Sequence, residues 1–316
     1  MAVYVHHSKR GPDFVWDQGL VASLLAEVRY RQGRLLGRME GLSAQLREEA
    51  RLQVYSLDVQ VFGGAGGERY AGLILETARQ YSTPLTRERL FRWHSELFPA
   101  TEKAGVRTKV HFQASAGEGS EGRLIKLIHW VNSAIDIDPV IKAAVAQLWL
   151  VVVRPFEAGD QRLGELVMEG LLARANHGGE RLYSVAGQMQ AEHRDYETTL
   201  ARMAEDSSDA TAWIEWFLGC MGRAIDNAVR VLGVIIRKDR FWERCAGMAL
   251  NDRQRMILGK LLDGQEGKLT SSKWAMLTNT SQDTAGRDIN DLVRRGVLTK
   301  ESGGGRSTSY VINPGV

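Results

Sequence analysis

The 316-residue sequence holds only two cysteines, Cys220 and Cys245. Two are too few for a disulfide framework or a structural zinc site, and they fit a reducing cytosol. None of the seven histidines (His6, His7, His94, His111, His129, His177 and His193) stands at metal-ligand spacing from another His, Cys or acid. Long apolar runs are missing. The longest, 143–153 with Gln147 inside, is well short of the ~20 helical residues that cross a bilayer, and residues 1–10 carry no apolar leader core. A secreted or membrane-spanning chain is therefore not expected, and a cytoplasmic one is. An excess of one charge is also missing. Lys and Arg total 41 against 38 Asp and Glu, a net +3, which excludes a broadly polybasic protein but leaves room for one basic face. There is no internal repeat and no low-complexity tail.

What is present is helical pattern almost throughout. Hydrophobic residues make up 44% and charged residues 25%, ordinary for a soluble globular protein, and the length predicts two or three domains. Leu20, Leu24, Val28 and Leu35 mark a helix from Trp16 to Gly41 with Asp17 as N-cap. A second helix is expected from Ser43 to Val61. It should end at Gly63-Gly64-Ala65-Gly66-Gly67, where each glycine costs about 1 kcal/mol of helix propensity relative to Ala, and this run reads as a flexible connector. Thr86 caps a helix from Arg87 to Phe98. Thr108 to Ala114 alternates between Gly105 and Gly117 and reads as a short β-hairpin arm. Further helices are expected over 121–133, 139–153, 162–175, 183–202 and 211–236, with 139–153 buried at the centre and 241–250 a connector. Trp213, Trp216 and Phe217 read as core. Arg237-Lys238-Asp239-Arg240 reads as a solvated helix end, with a DNA-phosphate contact as the sharper alternative.

The last third carries a different pattern. Asn251 or Asp252 caps a helix to Leu262, Ser271-Ser272 a short one through Leu277, and Ser281 a third through Arg295 that Gly296 closes. Val297 to Lys300, a Gly303-Gly304-Gly305 tip and Thr308 to Ile312 make strand-turn-strand. Three short helices and a two-stranded wing describe a winged helix-turn-helix. Its core would be Ile257, Leu258, Leu261, Trp274, Leu277, Ile289, Leu292 and Val293. The third helix offers Gln282, Asp283, Thr284, Arg287, Asp291 and Arg294. Its first residues suit a major groove, where Gln matches adenine and Arg matches guanine. The expected DNA contacts are Ser281, Gln282, Thr284, Arg287 and Arg294 on the helix, and Arg306, Ser307 and Thr308 at the wing. Asp283, Asp288 and Asp291 dilute the cations, which points to a dimer presenting two modules. Protein docking is the alternative use of this surface.

The segment Arg154-Pro155-Phe156-Glu157-Ala158-Gly159-Asp160-Gln161-Arg162, followed by Glu165, resembles the core motif of the Fic (Fido) family, His-Pro-Phe-x-(Asp/Glu)-Gly-Asn-Gly-Arg-x-x-Arg. Trp93-His94 with Leu97-Phe98, Val110-His111-Phe112, Arg181-Leu182-Tyr183-Ser184, and Trp213, Trp216 and Phe217 extend the resemblance. So do the Phe14-Val15-Trp16-Asp17 start and the Gln32 to Glu40 run. The resemblance covers nearly the whole chain. It implies a mainly α fold: a helical extension (1–80), a helical core with a short hairpin arm (81–240) and a winged helix (241–316). It also implies a reaction, AMP transfer from ATP to a protein hydroxyl. There the His is the base, the acid holds a divalent metal and the glycine loop cradles phosphate.

Pro155, Phe156, Gly159 and Arg162 match the motif. Arg154 replaces the base, Ala158 the acid, Asp160 the Asn, Gln161 the second Gly and Glu165 the last Arg. An Arg is neutral less than ~10⁻⁵ of the time at pH 7, which as a base costs about 7 kcal/mol of barrier. Pro155 and Phe156 can persist for packing alone. The family's inhibitory Glu position falls on Gly66, with Glu68 displaced by two. The expectation is little or no AMP transfer, no metal and no cofactor, with residual nucleotide or anion binding through Arg154 and Arg162 left open. A replacement base from His111 or His177 is the weaker alternative.

The resulting reading is a catalytically degenerate Fic-fold protein acting as a DNA-binding transcriptional regulator, a homodimer on double-stranded DNA with no membrane partner. The alternatives are a nucleotidyltransferase with altered chemistry, and a scaffold or antitoxin-like partner of another protein.

Overall fold

A computed structural model of the chain describes residues 2–4, 14–98, 120–156, 158–176, 182–205, 209–264, 268–301 and 308–314. It divides into two compact units, Met1–Val229 and Arg230–Val316. The expected hairpin arm at 108–114, with His111, lies outside the described residues, as does His177.

In the first unit, β1 (Ala2–Tyr4) pairs antiparallel with β2 (Val15–Asp17), Val3 opposite Trp16. Asp17 then caps α1 (Gln18–Glu40), its carboxylate accepting from the Leu20 N–H at 3.0 Å. Helix α1 buries Val21, Val28, Leu35 and Met39, one stripe at helical spacing. Ser43 caps α2 (Ala44–Phe62) in the same way; each cap is worth about 1 kcal/mol.

The glycine run is not a connector. The chain turns at Gly63 alone (φ 70°, ψ 143°), and α3 (Gly64–Arg79) begins at once. A Cβ at Gly67 would stand 2.9 Å from the Val59 carbonyl oxygen. Glycine here lets two helices approach, and the burial of Tyr70, Ala71, Ile74 and Ala78 offsets its propensity cost.

Thr86 caps α4 (Arg87–Leu97), which buries Leu90, Trp93 and His94. After α5 (Ser120–Asn132) comes the buried centre, α6 (Pro139–Val153). Asp138 caps it and Pro139 opens it, where the absent N–H costs nothing. Helix α7 (Asp160–Ala175) lies along α6, so close at Gly164 that a Cβ would be 3.2 Å from the Gln147 carbonyl oxygen. The helix expected over 183–202 is broken into α8 (Val185–Ala191) and α9 (His193–Glu205). Glu192 at the break (φ −104°, ψ 29°) accepts from Arg223 Nε at 2.5 Å and Gln188 Nε2 at 2.6 Å, while its backbone still bonds to Gln188 and Tyr196 across the break.

Helix α10 (Thr211–Cys245) buries Trp213, Ile214 and Phe217, with Trp213 Nε1 donating to the Ala144 carbonyl at 2.9 Å. It runs through 237–240 and well into the connector expected at 241–250. Phe241 and Cys245 are buried in the second unit's core, so an apolar face keeps that stretch helical.

The second unit continues with α11 (Asp252–Leu262), α12 (Ser271–Thr278), α13 (Gln282–Arg294), β3 (Leu298–Lys300) and β4 (Tyr310–Ile312). Asn251 and Gln254 form a reciprocal capping box on α11. Thr270, not Ser271 or Ser272, caps α12, and Ser281 caps α13. Gly296 (φ 74°) closes the last helix. The strands pair antiparallel, Leu298 opposite Ile312. Ile257, Leu258, Trp274, Ile289 and Leu292 fill the core, with Leu261, Leu277 and Val293 packed at its edge. Among the described residues no helix is long and apolar enough to cross a membrane.

Candidate functional site

The turn from Arg154 to Arg162 joins the two central helices α6 and α7. Arg154 caps α6 in the left-handed region (φ 45°, ψ 61°), its N–H donating to the Leu150 carbonyl at 3.2 Å. A non-glycine residue there costs on the order of 1 kcal/mol or more. Pro155 and Phe156 are buried and hold the turn down. Phe156 stacks on His94 (ring centroids 4.7 Å, 12°) and meets Phe91 edge-on. His94 Nε2 lies 3.1 Å from the Ala158 carbonyl oxygen, which places its proton on Nε2, and burial pushes its pKa below the usual imidazole value. Gly159 (φ 92°) sits under Phe98, where a Cβ would approach the ring to 2.3 Å.

Asp160 begins α7, and its Oδ1 accepts from the Phe156 N–H at 3.1 Å. Burial pushes this carboxyl up to about 7, with the Phe156 hydrogen bond and the Arg154 charge opposing the rise. An open cavity of about 780 Å³ adjoins the turn. Arg154 and Gln161 line it together with Phe14, Val152, Leu200 and Met203, so its wall is largely apolar. The Arg154 side chain is exposed and makes no hydrogen bond or ion pair among the described residues.

Arg162 faces inward instead. Its guanidinium lies 4.4 Å over the Phe62 ring and 4.8 Å over Tyr70, and its Nη1 is 3.3 Å from Glu165 Oε2. Glu165 is fully buried and also accepts from Tyr70 Oη and, at 3.0 Å, from Gln161 Nε2. Burial raises its pKa, and Arg162 is the main opposing influence. Two of the altered positions, 161 and 165, thus join one hydrogen-bonded group with Arg162. Among the described residues no group of three His, Cys, Asp or Glu side chains could hold a metal.

Three comparisons bear on this arrangement. Residues 4–61 match a family model described as Domain of unknown function (DUF4172). No curated protein matches the chain. Among solved structures, a Fic family protein from Desulfovibrio desulfuricans superposes with a TM-score of 0.52 at 15% identity, covering 96% of this chain and 98% of that one. The chain has the Fic fold. A segment of Fic-1 from C. elegans (TM-score 0.49, 14% identity, 67% of this chain and 74% of that one) is also similar. So is a Fic domain containing signaling protein from Bacteroides thetaiotaomicron (0.45, 14%, 67% and 97%). In this Fic-fold chain, packing by Pro155, Phe156, His94 and Phe98 keeps the turn in shape. His94 comes from α4 and Phe98 from its C-terminal cap, far away in sequence, and sequence reasoning gave neither this clamping role. The only available signal was their place in the Trp93-His94 and Leu97-Phe98 pairs.

The second unit presents another surface. On α13, Asp283, Arg287, Asn290 and Arg294 are exposed at i, i+4, i+7 and i+11, one outer face. Arg287 makes no hydrogen bond or ion pair among the described residues. Ser281 is committed to its cap, Thr284 is half-buried beside it, and Gln282 Nε2 reaches Ser272 Oγ at 3.3 Å. Asn290 was missed by sequence reading, although its spacing from Arg287 marks it. Asp288 is buried rather than on the surface, paired with Arg253 (2.8 Å) and Asn251 (2.9 Å). Asp291 is engaged by Gln254, Arg294 and Arg295. Ahead of β4, Thr308 is exposed, while Arg306 and Ser307 lie outside the described residues.

Proposed function

We propose that this Fic-fold chain has lost nucleotide transfer and acts as a regulator that binds double-stranded DNA through its C-terminal unit, which we read as a winged helix. The observation that carries the reading is the outer face of α13. Arg287 stands there exposed and uncommitted beside Asn290 and Arg294, while two of the three acids expected to dilute it, Asp288 and Asp291, are held by cations or amides of the same unit. Arg side chains suit guanine and Asn suits adenine at major-groove edges. At the turn, a permanent cation occupies position 154, and the Arg162 that was left open as an anion holder is engaged by Glu165 and two rings. A homodimer would place two such helices on half-sites about 34 Å apart.

Fluorescence anisotropy of the full chain against genomic fragments tests the reading. Specific binding is expected, and Arg287→Ala should weaken it by roughly 10- to 100-fold at the preferred site. Binding that is salt-labile and equal on all fragments would end this proposal.

One observation favours a second reading, transfer by altered chemistry. Asp160, pushed up to about 7, can exchange a proton near neutral pH inside the turn. Incubation with labelled ATP, GTP, UTP and CTP decides it. Label on a protein would support transfer, and no label together with no calorimetric heat would remove it.

A further inference from the structure

Between helices α3, α4 and α7 of the first unit lies a second, small cavity of about 20 Å³, partly open to the surface and lined by Thr77, Arg89, Trp93 and Arg174 among others. It has room for one particle the size of a water or a halide. The lining is rich in donors that lack an acceptor. Thr77 Oγ1, Trp93 Nε1, Arg89 Nε and Arg89 Nη2 are all buried without a hydrogen-bond partner, and Thr77 and Trp93 are 2% and 1% exposed. Arg89 lies over the Trp93 ring at 4.8 Å, and its remaining Nη1 donates to the Thr83 carbonyl at 3.0 Å. Arg174 Nε donates to the Tyr81 carbonyl at 3.0 Å. No carboxylate among the described residues lines the cavity. Glu76, next to Thr77 in the chain, is held by Arg92.

Buried donors left unpaired are costly, and they normally have a partner. A water accepts about two hydrogen bonds and must also donate two, which this donor-rich wall serves poorly. A monatomic anion accepts from every donor and offsets the guanidinium charge. We propose that the cavity binds one chloride-sized anion, held by Thr77 Oγ1, Trp93 Nε1 and the Arg89 guanidinium, with Arg174 completing the positive wall. The desolvation that lowers the Arg89 pKa, reinforced by Arg92 and Arg174 and opposed by Glu76, is the strain such an ion relieves. The anion ties α3, α4 and α7 together one residue away from His94, which grips the 154–162 turn. This inference stands apart from the DNA-binding proposal.

The test is thermal unfolding of the full chain in sodium chloride against sodium gluconate at one ionic strength. Chloride should raise Tm by about 3–5 °C once it stands tenfold above its Kd. Thr77→Val, nearly isosteric, and Arg89→Met should each remove most of that difference, and crystals soaked in bromide should show an anomalous peak in the cavity. If Arg89→Met does not fold, Thr77→Val and the bromide peak decide. Equal Tm in both salts with no bromide peak would mean a water or nothing sits there and would overturn the proposal. A chloride effect undiminished in Thr77→Val would mark a general salt effect and overturn it equally.

Discussion

Asp160 is an acid in a place that disfavours its charge. Its folded pKa of about 7 stands above the ordinary 3.8, so the folded chain binds the proton more tightly than the unfolded one. Stability from this group is therefore full below pH 4 and is lost as pH rises towards 7. Asp160→Asn keeps an oxygen for the Phe156 N–H and removes the charge. It should stabilise the protein by about 1–2 kcal/mol at pH 7.5 after allowance for solvent screening and change little at pH 4, as read by chemical denaturation at both pH values. Burial raises the Glu165 pKa as well, but this carboxylate has a cation beside it. It is buried and answers Arg162, so Glu165→Ala leaves a cation unpaired and should cost about 3–5 kcal/mol, measured the same way. That Pro155 and Phe156 serve packing was legible in the sequence, because proline and phenylalanine carry that meaning locally. The clamp from His94 was not, since α4 reaches the turn only through tertiary packing.

Among the elements, most caps were legible: Asp17, Thr86, Asn251 and Ser281 stand where their side chains suggested, whereas Ser43 was expected only as a helix start and Thr270 caps in place of Ser271-Ser272. Such signals are local. The glycine run misled because propensity sums a per-residue cost and says nothing of how closely two helices approach. Two substitutions separate these effects. A Cβ at Gly66 meets nothing within 4 Å, so Gly66→Ala should stabilise by about 0.5–1 kcal/mol. Gly67→Ala meets the α2 backbone and should destabilise by about 1–3 kcal/mol. Thermal melts of the two single variants should move in opposite directions; movement together would refute the close-approach account. The overrun of α10 past 240 has the same origin, since burial of Phe241 and Cys245 is a tertiary fact that a connector-like composition conceals.

For the whole molecule, a net charge of +3 gives little long-range attraction to DNA, so in the proposed DNA complex affinity must come from local contacts. Binding by the full chain should weaken as salt rises, with a slope set by the number of phosphates neutralised. Arg294→Ala, at a side chain 79% exposed and paired only with Asp291, should shrink that slope by about one per module and weaken all sequences alike. Anisotropy titrations from 50 to 200 mM salt would show this, and an unchanged slope would exclude Arg294 from the contact. The order of elements in the C-terminal unit was readable because each helix carries its own start signal. The sorting of its acids was not, because only packing turns Asp288 inward onto Arg253.

The clasp around Arg162 has one more consequence. Placing a histidine at 154 and an acid at 158 would give the front of the turn the motif's residues and leave its rear unchanged. There a guanidinium remains lodged against two rings that meet edge-on and anchored to a sunken carboxylate. If nucleotide transfer has been lost as proposed, regaining it would need several coordinated replacements, a barrier for any lineage that changes a single residue at a time.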